Sequence, residues 1–166
     1  MRVVRAYHLM TADHAMSSIM LRRLKVARFS EVNDPFELFG LNCFGPNGPQ
    51  RRRTLGEFKE SQNNKTGLLC FSARWKSPVL WSHYADGHKG ICLGFDIDET
   101  NVKTVTYNAE KLKLNDNQDL RTLPVDVQER LFITKFEHWQ YEEELRVVVS
   151  LSKTTKEGGV ALLPIR

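Results

Sequence analysis

Three consecutive glutamates lead directly into a β-branched run near the end of the chain, which reads EEELRVVV over residues 142–149. β-branched residues favour strands, and alternate side chains of a strand share one face. The spacing therefore predicts a strand with Glu142, Glu144 and Arg146 on one face. The apolar side chains between them would lie on the opposite face.

The negative charge at the start of this strand has two interpretations. Glutamate is disfavoured in strands, so two carboxylates beside the Arg146 guanidinium indicate a functional site at the strand's beginning. Alternatively, the segment is an exposed edge strand with a glutamate–arginine pair that contributes little to stability. The sequence leaves both interpretations open.

Length and composition indicate one compact domain. The 166 residues are 41% hydrophobic and 27% charged, so residues 1–166 are expected to form a single catalytic-type domain with its own core. No apolar run approaches the roughly 20 residues that cross a membrane, and the N-terminus lacks a secretory apolar region. Three widely spaced cysteines, Cys43, Cys70 and Cys92, predict a reducing, cytoplasmic location without disulfides. The net charge of +4 favours anionic partners.

The order of the predicted elements indicates an α+β fold. Strands and helices do not alternate strictly, so we expect a small β-sheet that is mainly antiparallel or split, with two to three helices. Residues 45–53 are predicted to break regular structure, with Arg51–Arg53 in a solvated loop. The predicted strands span 3–7, 26–29, 68–72, 91–97, 102–107, the acidic strand and 160–165. The two long predicted helices span 11–25 and 124–138, and a weak helical signal at 54–63 and a short one at 79–84 accompany them.

Polar and aromatic residues cluster at three further places in the sequence. Tyr7 and His8 end the first predicted strand, although a lone histidine is more often structural. Ser72, Arg74 and Trp75 close the buried strand at 68–72, where arginine and tryptophan suit phosphate and a flat ring, but Trp75 could equally plug the core. The block from 81 to 90 contains two histidines without an evident third metal ligand. No glycine-rich phosphate loop is present.

Three segments together resemble a known family. In chain order they are FSEVNDPFE at 29–37, LLCFSARWKSPVLWSHYADGHKGICLGFD at 68–96 and WQYEEELRVV at 139–148. They resemble the bacterial family called domain of unknown function 2971 (DUF2971), whose name implies no activity. By themselves, Asn33 and Asp34 before Pro35 are typical of a structural turn.

A more distant resemblance implies an activity. Tyr7-His8, then Ser72 or Tyr84, then the Glu142-x-Glu144 pair follow the order of the three signature elements of ADP-ribosyltransferases. Those enzymes bind NAD in the cleft of a split sheet. The resemblance implies an NAD-dependent ADP-ribosyltransferase or NAD glycohydrolase, with NAD as co-substrate and an unidentified acceptor. By analogy with that class, the chain is a candidate toxin or phage-defence effector with an antitoxin or immunity partner.

The resemblance also implies a role for each residue. Glu144 would stabilise the oxocarbenium-like state at the ribose, and Glu142 would orient the acceptor or take its proton. His8, next to Tyr7, would hydrogen-bond the ribose. Loss of Glu144 is then expected to cost orders of magnitude in rate and little in folding. The remaining contacts to NAD would come from Arg74 to the pyrophosphate and from Tyr84, Trp75 or Trp81 to the nicotinamide ring.

The alternative is a nucleic-acid-binding or nucleolytic module. The positive charge, Arg51–Arg53 and aromatic side chains would serve phosphate contact and base stacking. A metal-dependent nuclease would need several acids around Mg²⁺. The candidates would be Asp34, Glu37, Asp96, Glu142 and Glu144, although no spacing typical of a nuclease supports them.

Overall fold

The computed structural model describes residues 2–34, 48–110 and 123–165. Within these ranges, three short 3-10 helices lie at Glu99–Asn101, Glu137–Glu142 and Leu151–Lys153. The other elements, in chain order, are β1 (Val3–Met10), α1 (Ala12–Leu21), β2 (Arg23–Lys25), α2 (Gly48–Lys65), β3 (Thr66–Ser72), α3 (Pro78–Tyr84), β4 (Ile91–Asp98), β5 (Lys103–Thr104), β6 (Thr106–Asn108), α4 (Val125–Phe132), β7 (Thr134–Phe136), β8 (Glu144–Ser150), β9 (Thr155–Glu157) and β10 (Val160–Pro164).

The strands form a mixed α+β fold, as the element order predicts. An antiparallel five-stranded sheet has the order β4-β1-β3-β8-β5, and a smaller sheet has the order β2-β10-β9. The short strands β6 and β7 pair in parallel. The acidic strand β8 lies between β3 and β5, so the edge-strand interpretation is wrong.

The large sheet is split between β1 and β3. β1 pairs with β4 along its whole length, Val3–Met10. Between β1 and β3, both fully described, the register has a single pair, Tyr7 with Ser72. The His8 side chain lies in this gap, with Nδ1 2.7 Å from the Cys70 carbonyl oxygen. The gap opens the sheet at the centre of the molecule.

The two faces of the large sheet differ in composition. On the first face, one apolar cluster includes Ala6, Leu69, Phe71 and Leu145 and packs against α1 and the smaller sheet. The second face carries two separate apolar clusters. One surrounds Leu68 and the helices α2 and α4, and the other surrounds Leu9 and α3. Polar side chains of the same strands therefore lie on the face that these two clusters flank.

Helix α1 is shorter than predicted and exposes most of its apolar residues. It begins after Thr11, whose hydroxyl accepts from the His14 amide, and it ends before Arg22, which is left-handed with φ 48°. Only Ala15 and Ser18 are buried, whereas Met16, Ile19 and Met20 are exposed. Helical spacing correctly predicts a helix here, but the face of α1 that packs against the core is formed by small residues.

The predicted break at residues 45–53 is wrong from residue 48 onward. α2 includes Arg51–Arg53, because Leu55 and Phe58 bury its apolar side in the second-face core. Arg53 pairs with Glu57 one turn away, at 3.4 Å. The three arginines therefore lie on a helix rather than in a loop.

The helix predicted at 124–138 is also wrong in its second half. α4 ends at Phe132, and the chain then forms β7, in which Lys135 pairs with Tyr107 of β6. Thr134 and Lys135 fit a helical period by spacing alone, but strand pairing with β6 decides their conformation. This change brings Lys135 to the second face of the large sheet.

Several smaller expectations differ from the structure. The strand predicted at 91–97 is β4, a half-exposed edge strand, and the strand predicted at 102–107 is divided into β5 and β6. Cys43 and the segment 35–37 lie outside the described residues. Among the described residues, no helix combines the length and apolarity that a membrane span requires.

Candidate functional site

A cavity of about 170 Å³ lies where the large sheet splits. It is bounded by β1, β3, the start of β8, helix α3 and the segment after β2. Six of the nine site residues predicted from sequence line it, namely Tyr7, His8, Ser72, Tyr84, Glu142 and Glu144. The elements that are distant in sequence therefore meet at one place.

Glu144 is held by a buried guanidinium. Its carboxylate oxygens accept from Arg146 Nε at 2.8 Å and from Arg146 Nη2 at 3.0 Å. Arg146 is fully buried and also donates through Nη1 to the Phe132 carbonyl oxygen at 2.6 Å. The backbone N–H of Glu144 donates to the Tyr107 hydroxyl at 2.8 Å. The carboxylate is therefore fixed in position and orientation.

Lys135 joins Glu144 to Glu142. Its Nζ lies 2.5 Å from Glu142 Oε2 and 3.2 Å from Glu144 Oε2. The Tyr84 hydroxyl donates to the other oxygen of Glu142. Glu142, Glu144 and Lys135 are all less than 10% exposed, at 4%, 4% and 7%. Lys135 thus contacts both buried carboxylates, and Arg146 is hydrogen-bonded to Glu144.

These contacts set the protonation of the site. Burial raises the pKa of Glu144, but Arg146 and Lys135 outweigh burial and bring it to about 2. Burial lowers the pKa of Lys135, but Glu144 and Glu142 outweigh it, so that pKa is raised. Burial and the neighbouring carboxylates raise the pKa of Tyr84 above its usual value. Glu144 is therefore an anion, and Lys135 a cation, throughout the neutral range.

His8 is a neutral imidazole in this setting. Burial lowers its pKa, and the hydrogen bond to the Cys70 carbonyl only partly offsets this. Because a carbonyl accepts, Nδ1 carries the proton and Nε2 is left as an acceptor. The ring packs 5.4 Å from Phe71. His8 therefore lines the cavity from the gap between the strands.

Strand register separates the roles of Tyr7 and His8. Tyr7 pairs with Ser72, and Ser72 pairs with Glu144. Directly paired residues of antiparallel strands share a face, so these three lie level on the second face. His8 alternates toward the first face. The residue level with Glu144 on β1 is thus Tyr7.

Three predicted residues lie within the described chain but do not line the cavity, namely Arg74, Trp75 and Trp81. Arg74 is largely exposed, and its Nε lies 2.8 Å from a Glu143 carboxylate oxygen. Trp81 donates from its indole nitrogen to the Trp75 carbonyl at 2.6 Å and packs against the Leu9 cluster. Their predicted contacts with NAD remain predictions.

Two expectations about the acidic pair need correction. Glu142 is not on the strand: it ends the 3-10 helix Glu137–Glu142, and Glu143 is left-handed, with φ 42°, before β8 begins. This turn brings Glu142 toward the same cavity by a different route. Loss of Glu144 will also affect folding, because a change there leaves the buried Arg146 without its charged partner.

The sequence prediction missed Lys135, Asn33 and Cys70, all of which line the cavity. Lys135 was assigned to a helix and Asn33 to a structural turn. Cys70, within the strand predicted at 68–72, is half-buried. The sequence signal that could have indicated a buried ammonium is the position of the lysine between Thr134 and Phe136, in a segment that also contains apolar residues.

Of the acids nominated for a nuclease, Glu142 and Glu144 line the cavity together, but Asp96 does not join them. Asp96 lies on the edge strand β4, where it forms an ion pair with Arg5 at 2.5 Å. Glu37 lies outside the described residues. In the ranges that the structure describes, no three histidine, cysteine, aspartate or glutamate side chains are grouped to hold a metal ion.

The comparison with known proteins supports the family resemblance. Residues 80–147 match the family described as "Protein of unknown function (DUF2971)". No curated protein and no solved structure matches the chain. Each of the three motif segments supplies cavity residues, such as Asn33 from 29–37, Tyr84 from 68–96 and Glu142 from 139–148.

Proposed function

We propose that this chain cleaves the nicotinamide–ribose bond of NAD and transfers ADP-ribose to an acceptor, or to water as a glycohydrolase. The observation that carries the proposal is the cavity at the split between β1 and β3. It is lined in common by Tyr7 and His8, by Ser72 and by the Glu142–Glu144 pair. These are the three elements whose chain order resembles ADP-ribosyltransferases.

The fixed carboxylate of Glu144 supports a substrate that develops positive charge during the reaction. The nicotinamide ring of NAD is positively charged, and departure of nicotinamide leaves positive charge at C1′ of the ribose. Glu144 stays ionised, since its pKa is about 2, and Arg146 holds it in place. A fixed anion stabilises developing positive charge without reorganising at the moment of reaction.

The proposed step breaks the bond between C1′ and the nicotinamide nitrogen, and the electron pair leaves with nicotinamide. An oxygen or nitrogen lone pair of the acceptor then forms the new bond to C1′. Glu142 takes the acceptor's proton, while Nε2 of His8 accepts from a ribose hydroxyl. The cavity is smaller than the roughly 300–1,000 Å³ of ordinary ligand pockets. We therefore expect only the nicotinamide riboside end of NAD to enter it.

The test is the release of nicotinamide from NAD by the purified chain, quantified by chromatography. Glu144→Gln should lower the rate per mole of folded protein by about 100-fold or more. Glu137→Gln, an exposed position on the 3-10 helix before the pair, is the matched control and should keep the wild-type rate. Folding of each variant is checked by circular dichroism.

Two results would contradict the proposal. One is the absence of nicotinamide release by the wild-type chain under conditions in which it is folded. The other is equal release by wild type and Glu144→Gln. Magnesium-dependent cleavage of RNA or DNA, without nicotinamide release, would favour the nucleolytic alternative instead.

A further inference from the structure

Lys135 occupies the centre of the buried charged cluster. Its ammonium contacts Glu142 Oε2 at 2.5 Å and Glu144 Oε2 at 3.2 Å. It also lies 4.6 Å from the centre of the Trp139 ring, a distance at which a cation is attracted to the aromatic face. Lysine is almost never buried unless it is paired. Pairing with the two carboxylates therefore accounts for the buried position of the Lys135 ammonium.

The two carboxylates depend on Lys135 to different degrees. Glu144 is already paired with Arg146 through two hydrogen bonds. One carboxylate oxygen of Glu142 accepts a hydrogen bond from the neutral Tyr84 hydroxyl, and the other accepts one from the Lys135 ammonium. Two neighbouring carboxylates in a buried site repel each other, and one of them takes up a proton when no cation is shared. Lys135 is positioned to prevent this.

We propose that Lys135 is a positioning residue whose ammonium holds Glu142 and Glu144 at one fixed separation and offsets their repulsion. The inference rests on the proposed function for its catalytic consequence, because Glu142 must be ionised to take the acceptor's proton. The placement itself rests on the contacts alone. The titratable and charged groups that face this cluster are Tyr84 from α3, Tyr107 from β6, Tyr141 from the 3-10 helix, Arg146 from β8 and Cys70 from β3.

The direct test is a carboxyl-carbon NMR titration of glutamate-labelled protein. Signals of the pair are assigned with Glu142→Gln and Glu144→Gln. In Lys135→Met, which keeps the length but removes the charge, one of the two carboxyls should titrate about one pH unit or more above its wild-type midpoint. Lys156→Met on β9, an exposed position, is the control and should leave both midpoints unchanged. Unchanged midpoints in Lys135→Met would overturn the proposal.

A second variant covers the case in which Lys135→Met does not fold. Adding Glu142→Gln removes one of the two charges that Lys135 is proposed to offset. The double variant should then fold where Lys135→Met does not, or melt at a higher temperature than Lys135→Met where both fold, although Glu142→Gln lowers the melting temperature in the wild-type background. Equal or lower stability of the double variant would overturn the proposal.

The pH dependence of nicotinamide release is a measurement that would not change if Lys135 had only a structural role. Nicotinamide release by Lys135→Met should fall about 100-fold in kcat, with a pH profile displaced to higher pH. Lys135→Arg, which keeps the charge, should recover part of the rate and the original profile. An unchanged pH profile in Lys135→Met would count against Lys135 as a positioning residue. If the wild-type chain releases no nicotinamide, the proposed function fails, while the NMR titration still decides the role of Lys135.

Discussion

The two faces of the large sheet bury different kinds of side chain, apolar on the first face and charged as well as apolar on the second. On the first face, β8 contributes Leu145 and Val149 to a continuous apolar core. On the second face, the same strand contributes Glu144 and Arg146, both buried. The alternation of one strand therefore places the most and the least polar buried side chains of β8 back to back.

The difference separates a face that clearly stabilises the fold from one whose buried charges need another explanation. Burying an apolar side chain stabilises the fold by about 1.5–3 kcal/mol. A buried ion pair, in contrast, is often no more stabilising than apolar residues of similar volume. A cluster of four buried charges beside a cavity is thus poorly explained by stability alone. It fits a site that must present fixed anions to a ligand.

The largest effect is expected where the second face loses a charge. Arg146→Met leaves Glu144 buried without its guanidinium, so the free energy of unfolding should fall by about 3–5 kcal/mol. Arg5→Met breaks an exposed arginine–aspartate pair and should lower the free energy of unfolding far less, because solvent screens exposed pairs. Urea denaturation measures both. Equal losses in the two variants would mean that the Arg146 cluster behaves like a surface pair.

A cavity on the first face should affect stability without affecting the chemistry. Leu69→Ala removes a buried side chain of the first-face core, so we expect a loss of about 2–5 kcal/mol in the free energy of unfolding. Nicotinamide release per mole of folded protein should stay near the wild-type value. A tenfold loss of that specific rate would show that the two faces are not independent.

Acid should destabilise the protein through the second face. The pKa of Glu144 is about 2 in the folded protein, below its usual value of 4.5, so its contribution is complete above pH 4.5. That contribution, on the order of 3 kcal/mol, is lost as pH falls from 4.5 toward 2. Urea denaturation at a series of pH values measures the loss. Glu144→Gln should have a shallower dependence in this window, and an identical dependence would contradict the assignment.

The smallest effect is expected at a helix that serves only the first face. Thr11 accepts from the His14 amide at 3.3 Å and caps α1, whose Ala15 packs in the first-face core. Thr11→Ala should lower the free energy of unfolding by about 1 kcal/mol. The carboxyl titrations of Glu142 and Glu144 should not change. A shift in either midpoint would reveal coupling through the sheet.

Local patterns in the sequence were sufficient to predict most strands of the large sheet. Apolar runs predicted β3, and Pro78 predicted the start of α3, because proline suits the first turn of a helix. Alternation correctly separated Leu145 from Glu144 and Arg146. Helix ends were less predictable: α1 stops at Leu21 and α4 at Phe132, where pairing with distant strands overrides helical spacing.

The sequence alone determined the α+β class, the alternation of β8 and the set of polar residues from which a site could be built, since each follows from local periodicity and residue chemistry. Only the tertiary structure decided that β1 and β3 separate beyond a single pair, that Glu142 reaches the cavity from a 3-10 helix and that Lys135 lies between the two carboxylates. These facts depend on which strands pair across long distances in the chain. Local spacing carries no record of that pairing, because the same lysine fits a helix and a strand equally well.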